Sequence, residues 1–98
     1  MAIIKRRLAF GESAELLPCG ARVLGVAVNY DNITPAIDLV IEADTARTSA
    51  IYNFETTLGD EKPLVSYAKH LHAFGFGGRS YHLWDETPGE LLNIWCME

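Results

Sequence analysis

The segment AIDLVIEA, Ala36–Ala43, puts Ile37, Leu39 and Ile41 on one side and Asp38 and Glu42 on the other. Side chains of an extended backbone point alternately to opposite faces, so this spacing predicts a strand with one dry and one wet face. The same period recurs in SAIYNFETTL, where Tyr52 and Phe54 oppose Asn53 and Glu55. It recurs again in IIKRRLAF, where Ile4, Arg6, Leu8 and Phe10 share a side. ARVLGVAVNY is apolar on both sides, with Leu24, Val26 and Val28 on one and Ala21, Val23, Gly25 and Ala27 on the other. Such a segment is expected to lie centrally in a sheet, covered on both faces. AELL reads as a short strand after a break at Gly11-Glu12-Ser13.

Turn chemistry separates these segments. In PCG, proline suits the second position of a tight turn and Gly20 closes it. YDNITP and ADTART are polar connections, and GDEKPLVSYA is a ten-residue loop with room for functional variation. The tail differs: Thr87 suits an N-cap, Pro88 a first helical position and Glu90 a capping box, with Leu91, Leu92 and Trp95 on one helical face. Many short strands joined by short turns predict a mainly β fold, a small antiparallel β-sandwich or partly open barrel, with a short C-terminal helix covering the sheet. The chain reads as a single domain over 1–98, a β part to residue 86 and a helical tail from 87.

At 98 residues, 49% hydrophobic and 21% charged, the chain can bury one core and is too apolar for disorder. Its net charge is −5, and apart from Lys5-Arg6-Arg7 its cations are scattered. Nucleic-acid binding, which draws its affinity from clustered Lys and Arg, is disfavoured. No apolar run reaches the length of a membrane span, and no secretory leader is visible. Cys19 and Cys96 leave one bridge open, but no spacing supports it, and the expectation is a cytoplasmic protein with two reduced thiols. The NIT acceptor at Asn32 is discounted on the same ground.

All three histidines, His70, His72 and His82, fall in KHLHAFGFGGRSYHLWD. If Gly77-Gly78 forms a two-residue hairpin turn, Phe76 faces Arg79, Phe74 faces Tyr81, His72 faces Leu83 and His70 faces Asp85. His82 then lies opposite Ala73 on the other face, and the three rings cannot converge on one ion. A three-residue loop would shift the pairing by one and bring all three to one face. No Cys or carboxylate spacing completes a zinc site there, and no cofactor is expected. GFGG is followed by a strand pattern and so lacks the helix of a phosphate cradle; Ser13, Ser66 and Ser80 lack a nucleophile-elbow context. Tyr67, Phe74, Phe76, Tyr81 and Trp84 make this the most aromatic region, either core or an interface anchor.

LLPCGARVLGVAVNYDNITPAIDLVIEAD and YAKHLHAFGFGGRSYHLWDE resemble a family of small domains of unknown function found in phages and bacteria. The matching segments are Pro18–Val28, Ala36–Ala43 and Phe74–Glu86, within a span from about Ile3 to Glu86. The resemblance implies a compact β domain of phage or prophage origin and a structural role for His82. It supplies no activity, and the tail beyond Glu86 departs from the pattern. With no catalytic constellation, the expected function is non-enzymatic: an accessory protein that binds another protein, such as an inhibitor of a host defence complex. Tyr67, Tyr81, Trp84, Asp60, Glu61, Asp85 and Glu86 are the candidate contact residues. A structural or self-associating module and a small metal-dependent enzyme using the histidines are the alternatives.

Overall fold

A computed structural model describes residues 1–30, 33 and 35–97. Its elements are β1 (Ala2–Leu8), β2 (Glu12–Pro18), β3 (Arg22–Asn29), β4 (Ala36–Ala43), β5 (Ser49–Leu58), β6 (Lys69–Phe76), β7 (Arg79–Asp85) and α1 (Gly89–Trp95). The strands form two antiparallel sheets, one in the order β1-β4-β3 and the other β2-β5-β7-β6, which do not close into a barrel. The turn expected over Tyr30–Pro35, with its Asn32 acceptor, lies largely outside the described residues.

The inner faces meet in one core. β4 supplies Ile37, Leu39 and Ile41, all fully buried, while Asp38 and Glu42 keep to the wetter side as their alternation requires. Across from them lie Leu17, Tyr52, Phe54, Phe74 and Leu83 of the other sheet. Each such side chain contributes roughly 1.5–3 kcal/mol by leaving water. On the far face Arg7 grips Asp38 through Nε at 3.0 Å and Nη2 at 3.2 Å. The hydrogen bond from Arg7 holds the Asp38 carboxyl below its ordinary range.

Four sequence expectations are corrected. First, the central strand of its sheet is β4, and the apolar β3 is an edge. A bulge between Val23 and Gly25 lets Leu24 turn to solvent, so Val23, Val26 and Val28 come to share the core side and the other face is not covered as expected. Second, β2 opens at Glu12, where a break was expected. Third, Pro18 is the first, not the second, residue of its turn: Ala21 N–H donates to Pro18 O at 3.1 Å. Gly20, at φ 80°, takes the left-handed position, and a Cβ there would lie 2.6 Å from Arg47 Nη1. Fourth, the cysteines are not reduced thiols: Cys19, buried at the end of β2, is bonded to Cys96 just after α1, with Cα atoms 5.6 Å apart.

The helix forms where predicted but is held differently. Thr87 does not cap it; its Oγ1 accepts Asn53 N–H at 3.0 Å and ties the approach to β5. Only Leu92 and Cys96, one turn apart, pack on the core, while Leu91 and Trp95 remain exposed. Among the described residues no helix is long and apolar enough to cross a membrane.

Candidate functional site

The Gly77-Gly78 turn has two residues, both at positive φ (59° and 76°), as the twist of a tight hairpin requires. It sets Phe76 against Arg79, Phe74 against Tyr81 and His72 against Leu83, as expected. The pairing then slips. Leu71 is an extra residue, so His70 faces Trp84 and Lys69 faces Asp85. One inserted residue reverses the alternation. His72 stays on the inner side, parallel to Phe74 at 6.4 Å, while His70 crosses to the outer face and meets His82. The expected pairing of His70 with Asp85 does not form. Two histidines come together and the third does not, and among the described residues no group of three metal ligands gathers.

His70 Nε2 lies 2.9 Å from His82 Nδ1. Such a contact needs one donor and one acceptor, so at least one ring is neutral while it stands. Trp84 supports the pair: its indole meets His70 edge-on at 5.0 Å and its Nε1–H donates to Thr57 Oγ1 at 2.8 Å. Thr57, buried under the indole, belongs to β5, so this bond pins the aromatic ring across the β5–β7 ladder.

The registers extend this cluster into a row. Glu12 pairs with Glu55, Glu55 with Trp84, and Trp84 with His70. Residues directly opposite in an antiparallel ladder share a face. Glu12, Glu55, Trp84 and His70 therefore cross all four strands in one line on the outer face, while neighbouring Phe54 and Leu83 point into the core. Glu86 joins the acidic end. Its N–H donates to Asn53 O at 2.8 Å, which turns its side chain to the same region. Partial burial, a hydrogen bond with Glu55 and repulsion from Glu55 and Glu12 push its carboxyl up to about 7. Glu86 therefore holds its proton to higher pH than an ordinary carboxyl does.

The loop of residues 59–68 walls this face. Gly59, Asp60, Glu61 and Lys62 border a shallow cavity of about 360 Å³ whose floor is His70, His82 and Trp84. A second hollow of about 340 Å³ holds Tyr67 beside Glu12, Asn53 and Glu86. The expected contact residues are thereby divided. Trp84, Asp60, Glu61, Tyr67 and Glu86 border the outer face. Tyr81 lies between the sheets, stacked on Phe74 at 5.5 Å and edge-on to Phe10 at 5.3 Å. Asp85 closes a turn, its Oδ1 accepting Thr87 N–H at 2.9 Å. Sequence reasoning missed Glu12, Glu55 and Thr57. The outward placement of Glu55 and Thr57 on an alternating strand was readable, but Glu12 fell in the expected break, and nothing local showed which strands would stand side by side.

No family model matches the chain, and no curated protein and no solved structure shows significant similarity to it.

Proposed function

We propose that this chain is a non-enzymatic, phage-type accessory module that binds a protein partner through the outer face of its four-stranded sheet. The partner's basic side chains sit against Glu12, Glu55 and Glu86, and an apolar or cationic group sits on Trp84. The carrying observation is the direct opposition of Glu12 and Glu55 in one row with Trp84. Like charges placed opposite each other in a ladder are destabilising. Departures of this kind from what folding favours concentrate at working surfaces. An incoming Lys or Arg relieves the repulsion, and an indole face attracts the same cations. The imidazole rings bond to each other, and among the described residues no third metal ligand gathers beside them.

The Cys19–Cys96 bond bears on where this happens. Disulfides persist in oxidising settings such as virion and cell surfaces and are rare in a reducing cytoplasm. It therefore supports an accessory role at such a surface over inhibition inside the host cytoplasm.

The test is a titration with a synthetic peptide of alternating arginine and serine, following Trp84 fluorescence in a Trp95→Phe background. Saturable change that weakens with salt, and is lost in Glu12→Gln/Glu55→Gln, is expected. No saturable change at millimolar peptide, or binding unaltered in that variant, would overturn the reading.

A further inference from the structure

The two sheets leave four edge strands, β1, β3, β2 and β6. An open edge presents unpaired N–H and C=O groups and pairs readily with another chain unless it is guarded. Three edges here carry guards. β1 holds Lys5, Arg6 and Arg7 in succession, a run that repels its own copy. β3 is bent by the bulge at Leu24. β2 carries Glu12 and Glu15 and ends in Pro18, which has no N–H to offer. In β6 the bulge is confined to Leu71, and from Leu71 to Gly78 there is no Lys, Arg, Asp or Glu.

We propose that a second copy of this chain pairs with β6, antiparallel and about a twofold axis at Phe74, joining two four-stranded sheets into one of eight. The proposal stands apart from the outer-face reading above and needs none of its residues.

The backbone supports it first. Ser80 O accepts Gly59 N–H at 2.8 Å, so the main-chain groups of Ser80 turn toward β5 and away from β6. Gly75, directly opposite Ser80, is therefore in a non-hydrogen-bonded pair, and its own N–H and C=O face the open edge. Alternation along the strand assigns the same to Ala73. With the axis at Phe74, Ala73 meets the partner's Gly75, and Gly75 meets the partner's Ala73. Each pair exchanges both of its hydrogen bonds.

Side chains support it next. On the outer side Ala73 and Gly75 are exposed and small, so the two backbones approach without obstruction. On the inner side Phe74 continues the core and Phe76 stacks on Tyr30 at 5.8 Å, and the proposed axis sets His72 of each copy beside Phe76 of the other. A hollow of about 700 Å³ lies at the hairpin end of β6, lined by Tyr30, Gly75, Phe76, Arg79 and Ser80 among others. Isologous pairing uses the same patch twice and closes on itself, unlike pairing of β6 with a copy's β2, which would grow open-ended polymers.

Sedimentation equilibrium of the intact, oxidised chain from micromolar to millimolar concentration tests this. The expected result is a monomer–dimer equilibrium, with the Ala73 and Gly75 amides protected from hydrogen exchange as dimer accumulates. Gly75→Pro removes an edge N–H and leaves the β7 ladder alone. Ala73→Glu sets two carboxylates across the seam. Both are expected to be monomeric with unchanged far-UV circular dichroism, and Ile3→Glu on β1 is expected to dimerise like the parent. Should Gly75→Pro misfold, Ala73→Glu carries the test alone. A monomer at every concentration leaves that edge to an extended segment of a different protein and overturns the pairing. A dimer that persists in Ala73→Glu, or an open-ended polymer, overturns it equally.

Discussion

Replacing both bonded cysteines by alanine tests what holds the tail to the sandwich. Cys19 and Cys96 are 77 residues apart in sequence, so their bond closes most of the chain into one loop. In the chain-entropy account, tying so long a loop removes unfolded-state freedom amounting to about 4.5 kcal/mol at 25 °C. Domains of this size are stable by only about 5–15 kcal/mol in total, so the bond is a large fraction of the whole. The native state offers little to replace it: no residue of α1 is buried, its N-terminus has no side-chain cap, and Leu92 is its one partly buried apolar contact besides Cys96. Cys19→Ala/Cys96→Ala is therefore expected to lower the unfolding free energy by about 3–5 kcal/mol. The helical signal and the Trp95 environment should be lost at lower denaturant than the strand signal. Guanidinium unfolding followed by far-UV circular dichroism and by tryptophan fluorescence measures both effects. The parent chain unfolded with and without reductant provides the same comparison with no residue changed. A loss below about 1 kcal/mol, with the two probes still coincident, would refute the reasoning, because the loop constraint would then be absent from the unfolded ensemble.

Two further outcomes follow from the same structure. The Glu86 carboxyl sits at about 7 in the fold against an ordinary 4.5, so its stabilising contribution is full below about pH 4.5 and is lost as pH rises through 7. That interval corresponds to about 3 kcal/mol at most, and water reaching a partly buried carboxyl reduces it to about 1–2. The difference in unfolding free energy between Glu86→Gln and the parent should therefore grow by about 1–2 kcal/mol in favour of the variant between pH 5 and pH 8, and a constant difference would contradict the assigned surroundings. Leu39→Ala at the fully buried centre of β4 should cost about 2–5 kcal/mol by chemical denaturation, and a cost under about 1 would place the core elsewhere.

Much of the fold was legible because a strand's alternation is local. Tyr52 and Phe54 against Asn53 and Glu55, or Ile37, Leu39 and Ile41 against Asp38 and Glu42, declare their faces without knowledge of any neighbour. So does the turn at Gly77-Gly78, where positive φ at two successive residues selects glycine. The site was less legible. Trp84 and Glu86 could be singled out as unusual, but His70 was assigned to the wrong face because nothing in KHLHAF marks Leu71 as the extra residue. Leu24 was expected to be covered because β3 reads as a central strand, whereas β3 is an edge with a bulge at Leu24. Bulges are decided by how an edge strand fits its one partner, and no local propensity records that.

Local chemistry thus determined most of the strand segments, the dry sides of β4 and β5, the hairpin turn and the presence of a C-terminal helix. Tertiary structure alone decided that β2 and β5, far apart in the chain, stand side by side, that Glu12 meets Glu55 and Trp84, and that Cys19 reaches Cys96. The physical reason is distance along the chain. A period of two reports the environment of each residue, whereas strand order and long-range bonding depend on which apolar faces cover one another once the whole chain has folded.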